Sequence, residues 1–310
     1  MRLLGLTRTK QIANAYNRVR NRRDEAYRRA LYERHFDELV RENGTPTGPV
    51  LEMEDGWALD TSGTFPHTDA LIEQGLALFE ERGGVVREHF GRPFFQDVLA
   101  GDYTDAVLRD HPALLDFITS SEVLTTAARY LGTIPHLANA NPRGVRLNES
   151  DRRFDDEPDA PPRASQKFHI DPYSRPNVYV LVALHDVTEE HGPFCWLGAE
   201  DSQRVAERLH YGDRGVPYRL SDEEVYQHVD PDKLMRFTCP AGSVLFVDSS
   251  ACMHYGSRDC RQRRRQVMYS LSPSCRTDFA YVLTRQWPFP VRPSDSRLRK
   301  MVLDRTWRDN

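Results

Sequence analysis

From Gly144 onward the chain breaks into short stretches rich in β-branched and aromatic residues, and this run limits the fold more than any other feature. The stretches are Gly144 to Asn148, Ser165 to Asp171, Asn177 to His185, Gly192 to Leu197, Arg236 to Cys239, Ser243 to Val247, Arg265 to Ser272 and Phe279 to Leu283. Gly, Pro, Asp and Ser separate them, which predicts strands joined by turns and an antiparallel sandwich or jelly roll. The polar, Pro-rich segment Glu149 to Arg163 reads as a loop, and Asp201 to Lys233 as an acidic, helix-prone insertion. Upstream, the apolar spacing predicts helices over Thr68 to Glu81, Asp105 to Thr119 and Ser121 to Leu131, with stops at Gly83-Gly84 and Gly132. Ser294 to Arg305 predicts one more. Helices first and strands afterwards give an α+β class, with N-terminal helices buttressing the β core. We read one domain over 1–310: 1–132 mainly helical, 133–290 the β core with insertion 201–233, and 291–310 a C-terminal helix.

Several function classes are disfavoured before any motif is considered. The net charge of −4 argues against a dedicated nucleic-acid binder. The longest clear apolar run, Val178 to Leu184, is strand-sized, and Met1 to Lys10 holds no sustained apolar segment, so neither a membrane span nor a secretory signal is expected. The cysteines Cys195, Cys239, Cys252, Cys260 and Cys275 form no C-x-x-C pair and are odd in number, which fits a reducing, cytoplasmic setting. The first thirty residues carry nine Lys or Arg against two acids. From about Asp24, however, Tyr27, Leu31, Tyr32, Phe36, Leu39 and Val40 fall at helical spacing, so this segment reads as an amphipathic helix packed on the main domain or on a partner subunit. Self-association is thus left open. No Walker loop, G-x-S-x-G elbow or G-x-G-x-x-G is present.

Two distant segments hold the candidate chemistry. In Phe168-His169-Ile170-Asp171, strand alternation places His169 and Asp171 on one face with Lys167. Alone, this pair reads more readily as a strand-end His and an Asp opening the turn before Pro172. A second imidazole from His254 would complete two histidines and a carboxylate on one side of a metal, the facial set of non-haem Fe(II) oxygenases. The turn Pro240-Ala241-Gly242 feeds an apolar strand that leads to His254, and the basic cluster Arg261 to Arg265 leads into the strand after it. A guanidinium at that strand's start, Arg265, could grip a carboxylate beside the metal. Others of the cluster are surface charges.

In order, His169-x-Asp171, Gly192-Pro193-Phe194-Cys195-Trp196, Pro240 to Asp248, His254-Tyr255-Gly256-Ser257 and an Arg before a strand resemble the phytanoyl-CoA dioxygenase-like Fe(II)/2-oxoglutarate oxygenases. The resemblance spans Arg146 to Leu271. It implies a double-stranded β-helix (jelly-roll, cupin-like) fold, with Fe(II), 2-oxoglutarate and O2 as the cofactor set. It also implies His169, Asp171 and His254 as iron ligands and Arg265 as the residue that binds the distal carboxylate of 2-oxoglutarate, with Arg264 if the register slips by one. Two departures stand out. Many members have Ser two positions after the distal His, where this chain has Gly256 followed by Ser257. Many read P-G-S-H where this chain has Leu197-Gly198-Ala199-Glu200. Related halogenases lack the carboxylate, so Asp171 favours hydroxylation or another hydrogen-abstraction outcome.

Tyr179 and Asn148 are further candidates for 2-oxoglutarate, and Arg146, Lys167 and Trp196 for a small-molecule substrate; each also fits ordinary packing. Arg143, Arg146, Arg163 and Arg175 hint at an anionic substrate, and Glu149 to Arg163 with Asp201 to Lys233 at a lid. The alternatives are a cupin-type metalloenzyme that does not use 2-oxoglutarate and a non-catalytic barrel-fold binding protein.

Overall fold

In the computed structural model, the apolar run Val178–Ala183 (β5) lies near the middle of the larger of two antiparallel sheets. The structure describes residues 5–82, 95–99, 105–138, 144–155, 157, 159–172, 176–273 and 288–308. Every residue of β5 is buried because both faces of its sheet are covered. Val178, Val180 and Val182 enter a core shared with the helices, whereas Tyr179, Leu181 and Ala183 face the second sheet.

The larger sheet also contains Trp57–Asp60 (β1), Phe95–Asp97 (β2), His136–Leu137 (β3), Val145–Ser150 (β4), Val244–Asp248 (β8) and Arg264–Ser272 (β10). Its order is β1-β8-β5-β10-β4-β2, with β3 paired to the end of β10. The smaller sheet joins Met235–Arg236 (β7), Cys195–Trp196 (β6) and His254–Tyr255 (β9). Isolated bridges Phe168↔Leu220, His169↔His254 and Val187↔Cys239 extend it. Two facing antiparallel sheets with helices packed outside make the expected α+β jelly roll.

The helices are Gly5–Asn43 (α1), Thr68–Arg82 (α2), Asp105–Asp110 (α3), Ala113–Ile118 (α4), Ser121–Leu131 (α5), Ala199–Arg208 (α6), Asp222–Tyr226 (α7) and Arg297–Leu303 (α8). α5 has the expected bounds and ends on Gly132, whose left-handed φ of 62° suits glycine. Other expectations need correction. Asp105 to Thr119 is two helices, divided at Pro112, which cannot continue a backbone hydrogen-bond ladder. α1 begins far ahead of Asp24, and strands β1 and β2 went unread because each is short. Ser165 to Asp171 is a 3-10 turn, Ala164–Gln166, followed by bridge residues. Gly83-Gly84 and Phe279 to Leu283 lie outside the described residues. Among the described residues, no helix is long and apolar enough to cross a membrane.

The basic character of α1 has a local cause at Arg28, which is fully buried. Its guanidinium donates to the carbonyls of Pro135 at 3.1 Å, Met301 at 2.8 Å and Arg305 at 3.2 Å, and pairs with Asp24 at 3.4 Å. It thereby ties α1 to the C-terminal end of α8 and to the segment before β3, where carbonyls would otherwise be orphaned. Arg28→Met should lower unfolding free energy by about 3 kcal/mol, because several buried carbonyls lose their donor. Denaturant titration measures this, and a change below about 1 kcal/mol would show that those carbonyls find other partners.

Candidate metal centre

His169 and His254 are direct cross-strand partners. His169 N–H donates to the His254 carbonyl at 3.1 Å, and His254 N–H to the His169 carbonyl at 2.9 Å. Paired residues share a face, so the rings lie side by side with centroids 4.3 Å apart. Phe168 turns to the opposite face, into an apolar cluster with Leu220 and Tyr255. Asp171, two residues beyond His169, is held by a hydrogen bond from its N–H to the Ser249 carbonyl at 2.8 Å. Its two carboxylate oxygens each stand 4.0 Å from a histidine Nε2.

Second contacts aim these groups. His169 Nδ1 is 2.8 Å from the Lys167 carbonyl and His254 Nδ1 is 2.9 Å from the Cys252 carbonyl. A carbonyl only accepts, so both protons sit on Nδ1 and both Nε2 lone pairs face Asp171. Burial, then the neighbouring His254 and Arg219, hold the His169 pKa well below the usual imidazole range. Burial alone would raise Asp171, but His254, His169, a hydrogen bond from Tyr179 and Arg219 outweigh it and hold the carboxyl at about 2. At neutral pH the set is therefore a neutral imidazole beside an ionised carboxylate, the state a divalent cation requires. One donor atom from each of the three residues lies within 4.8 Å of the others. A first-row ion needs bonds of about 2.0–2.2 Å, within reach of small torsional adjustments. The residues fit a metal site of two histidines and one carboxylate.

The two adjacent arginines at the start of β10 face opposite ways. Along β10, Arg265, Val267, Tyr269 and Leu271 face the helices, and the last three join the helix-side core. Arg265 accordingly points away from the space between the sheets, pairing with Glu149 at 2.9 Å and with Glu80 of α2 at 2.6 Å. Arg264, Gln266 and Met268 alternate to the inner face, where Met268 packs against the cluster that holds Tyr179, Leu181 and Trp196. Arg264 is 3% exposed. It donates to the Gly192 carbonyl, to Ser150 Oγ at 3.2 Å and to Ser257 Oγ at 3.1 Å. Among the described residues its Nε has no partner and no carboxylate pairs with it. Burial lowers its pKa from the usual arginine range.

The departures noted in the sequence also resolve. A Cβ on Gly256 would stand 3.7 Å from Arg264 Nη2, while the hydroxyl beside Arg264 comes from Ser257. Gly198 lets Asp55 approach so closely that a Cβ would overlap its carboxylate, and Asp55 then accepts from Glu200 N–H at 2.7 Å, at the start of α6.

Of the remaining candidates, Asn148 is on the inner face opposite Gln266, and both side-chain carbonyls, Asn148 Oδ1 and Gln266 Oε1, are buried without a partner among the described residues. Arg146 shares that face opposite Met268 and acts on buried Asp97. Tyr179 bonds Asp171. Lys167 contributes its carbonyl to His169. Trp196 is 1% exposed and packs between Trp57 and Phe194. Arg163 is paired with Asp155 and Glu157; Arg143 and Arg175 lie outside the described residues. Of the two expected lid segments, the insertion reaches the triad. The loop's Arg152, Asp155 and Asp159 instead line a polar cavity of about 330 Å³ with Ser257.

Sequence reading expected the insertion near the site as a lid but singled out none of its residues. Ile170, between two of the triad residues, gives its carbonyl to Tyr218 hydroxyl at 2.8 Å, and its N–H donates to Tyr211 hydroxyl at 3.1 Å. Tyr211 in turn donates to the Tyr218 carbonyl at 3.0 Å. Only the run of tyrosines in an otherwise charged insertion could have signalled this.

No family model matches the chain, and no curated protein matches it. Solved structures do resemble it. EctD from S. alaskensis, solved with 2-oxoglutarate and 5-hydroxyectoine, is 11% identical over 84% of this chain and 90% of that one, with a TM-score of 0.49. SnoK, a non-heme alpha ketoglutarate dependent carbocyclase from nogalamycin biosynthesis, is 15% identical over 77% and 85%, with a TM-score of 0.42. HygX from Streptomyces hygroscopicus, solved with nickel, 2-oxoglutarate and hygromycin B, is 12% identical over 70% and 83%, with a TM-score of 0.40. At these scores the likeness adds nothing to the chemistry that the site's own residues define.

The tyrosine clamp makes a direct prediction. Changing Tyr211 and Tyr218 together to Phe should weaken Co(II) binding by about 10- to 100-fold, the usual effect of losing groups that orient metal ligands. Calorimetric titration reads it. An unchanged affinity would mean that the backbone bridge alone positions His169 and Asp171.

Proposed function

We propose that the protein is an Fe(II)- and 2-oxoglutarate-dependent oxygenase that hydroxylates, or otherwise oxidises by hydrogen abstraction, a small molecule. The observation that carries this reading is the pairing of a two-histidine, one-carboxylate set with a buried arginine that has no carboxylate partner among the described residues. Buried arginines are almost always paired, because an uncompensated charge in a poorly solvated site is costly. A dicarboxylate that chelates the metal at one end and meets Arg264 at the other supplies the missing charge.

His169, Asp171 and His254 would hold ferrous iron on one side and leave its opposite positions open. When bound, that iron supplies the redox chemistry by which dioxygen converts 2-oxoglutarate to succinate and carbon dioxide while a substrate C–H bond is oxidised. The chain's own contribution is placement and exclusion of water. Arg264, with the hydroxyls of Ser257 and Ser150, binds the distal carboxylate of 2-oxoglutarate by charge-assisted hydrogen bonds. The side-chain amides of Asn148 and Gln266 lie along the same wall. Tyr179 keeps Asp171 ionised and oriented, and the apolar packing of Leu181, Phe194 and Trp196 behind the site keeps bulk water out.

Arg264→Ala should weaken 2-oxoglutarate binding by about 100-fold, whereas Arg265→Ala should leave it within about threefold and instead loosen α2. Calorimetric titration of the metal-loaded, oxygen-free protein with 2-oxoglutarate distinguishes them. The reverse ranking, or equal affinities, would remove Arg264 from the site.

A further inference from the structure

We propose that Arg219 is the anchor for a carboxylate on the substrate, so that the substrate class is a monoanionic organic acid. This rests on the reading of the site as an iron and 2-oxoglutarate centre and adds to it the recognition of the second substrate.

Geometry places Arg219 at the triad. Phe168 and Leu220 are bridged, N–H to carbonyl in both directions at 3.1 and 2.9 Å, and their side chains share the apolar cluster on one face. The flanking residues turn to the other face, so Arg219 emerges on the same side as His169. Its guanidinium carbon lies 4.7 Å from the Tyr218 ring centroid. Tyr218 is tied to the Ile170 carbonyl, so the arginine rests on a ring fastened to the segment that bears the triad. Arg219 is close enough to act on both His169 and Asp171. Its Nη1 is buried and has no hydrogen-bond partner among the described residues.

Charge decides what this cation awaits. Ferrous iron, the Asp171 carboxylate, Arg264 and the 2-oxoglutarate dianion together come to zero. Arg219, partly buried in this structure, then leaves one positive charge beside the metal, and a substrate that closes over it would leave that charge costly unless it brings an anion. One unpaired guanidinium matches a single carboxylate, and a phosphate dianion would overcompensate it. A guanidinium also presents the forked donors that suit a carboxylate.

The test uses the Fe(II)·2-oxoglutarate protein without oxygen, titrated calorimetrically with propionate, hexanoate, phenylacetate and 4-hydroxybenzoate and with the primary amide of each. At least one acid should saturate and bind at least tenfold more tightly than its amide. Arg219→Ala should abolish that preference, Arg219→Lys should keep part of it, and both variants should still bind Fe(II) and 2-oxoglutarate. The proposal is overturned if no acid saturates or outbinds its amide, or if the preference survives in Arg219→Ala. It is overturned also if that variant loses metal binding, which would make Arg219 a support of the triad. Failure of the underlying reading shows separately, as absent 2-oxoglutarate binding in the unaltered protein before any acid is added.

Discussion

The reciprocal backbone bridge between His169 and His254 is the interaction on which the site depends. It joins segments far apart in sequence and, because directly opposed residues share a face, delivers two imidazoles together with no requirement on the side chains themselves. Asp171 follows from alternation along the same segment. Everything around the bridge serves to hold it. Asn177 N–H donates to Asp248 and its amide to Ser249, whose carbonyl holds Asp171, while Tyr130 and Ser250 hydroxyls donate to the same Asp248 carboxylate. On the other side the insertion's tyrosines satisfy both polar groups of Ile170. Buried polar networks of this kind are rigid only when each member is satisfied.

Two adjacent arginines show how pleating divides labour. Arg265 pairs with Glu149 and Glu80 and lies over Phe79, joining α2 to the sheet. Arg264 is buried on the inner face with neutral partners only. The first has its counter-charge within the fold. The second has none among the described residues, and Arg219, only partly buried, carries a buried Nη1 that has no hydrogen-bond partner among them.

Much of this was legible in the chain. Turn-separated short strands announced the jelly roll, Gly132 stopped α5 where expected, and the His169, Asp171 and His254 set was readable from motif order. Which of Arg264 and Arg265 faces the space between the sheets was not, because a one-residue difference in where a strand begins exchanges its two faces. The resemblance pointed to Arg265, with Arg264 only if the register slipped, and Arg265 lies on the face that the helices cover. Tyr211, Tyr218 and Arg219 were invisible for another reason. They reach the site through a single bridge from an irregular insertion, where neither a helical nor a strand period marks which side chains turn inward. β1 and β2 escaped notice because strands this short carry too little alternation to stand out.

The central claim is that His169, Asp171 and His254 hold a metal whose open positions accept 2-oxoglutarate. Its most direct test is an oxygen-free titration of the protein with Fe(II) and then 2-oxoglutarate, followed by visible absorption. The account predicts a charge-transfer band that saturates at one equivalent of each and is absent in His169→Ala. A protein that binds Fe(II) yet develops no band with 2-oxoglutarate, or a band undiminished in His169→Ala, would contradict it.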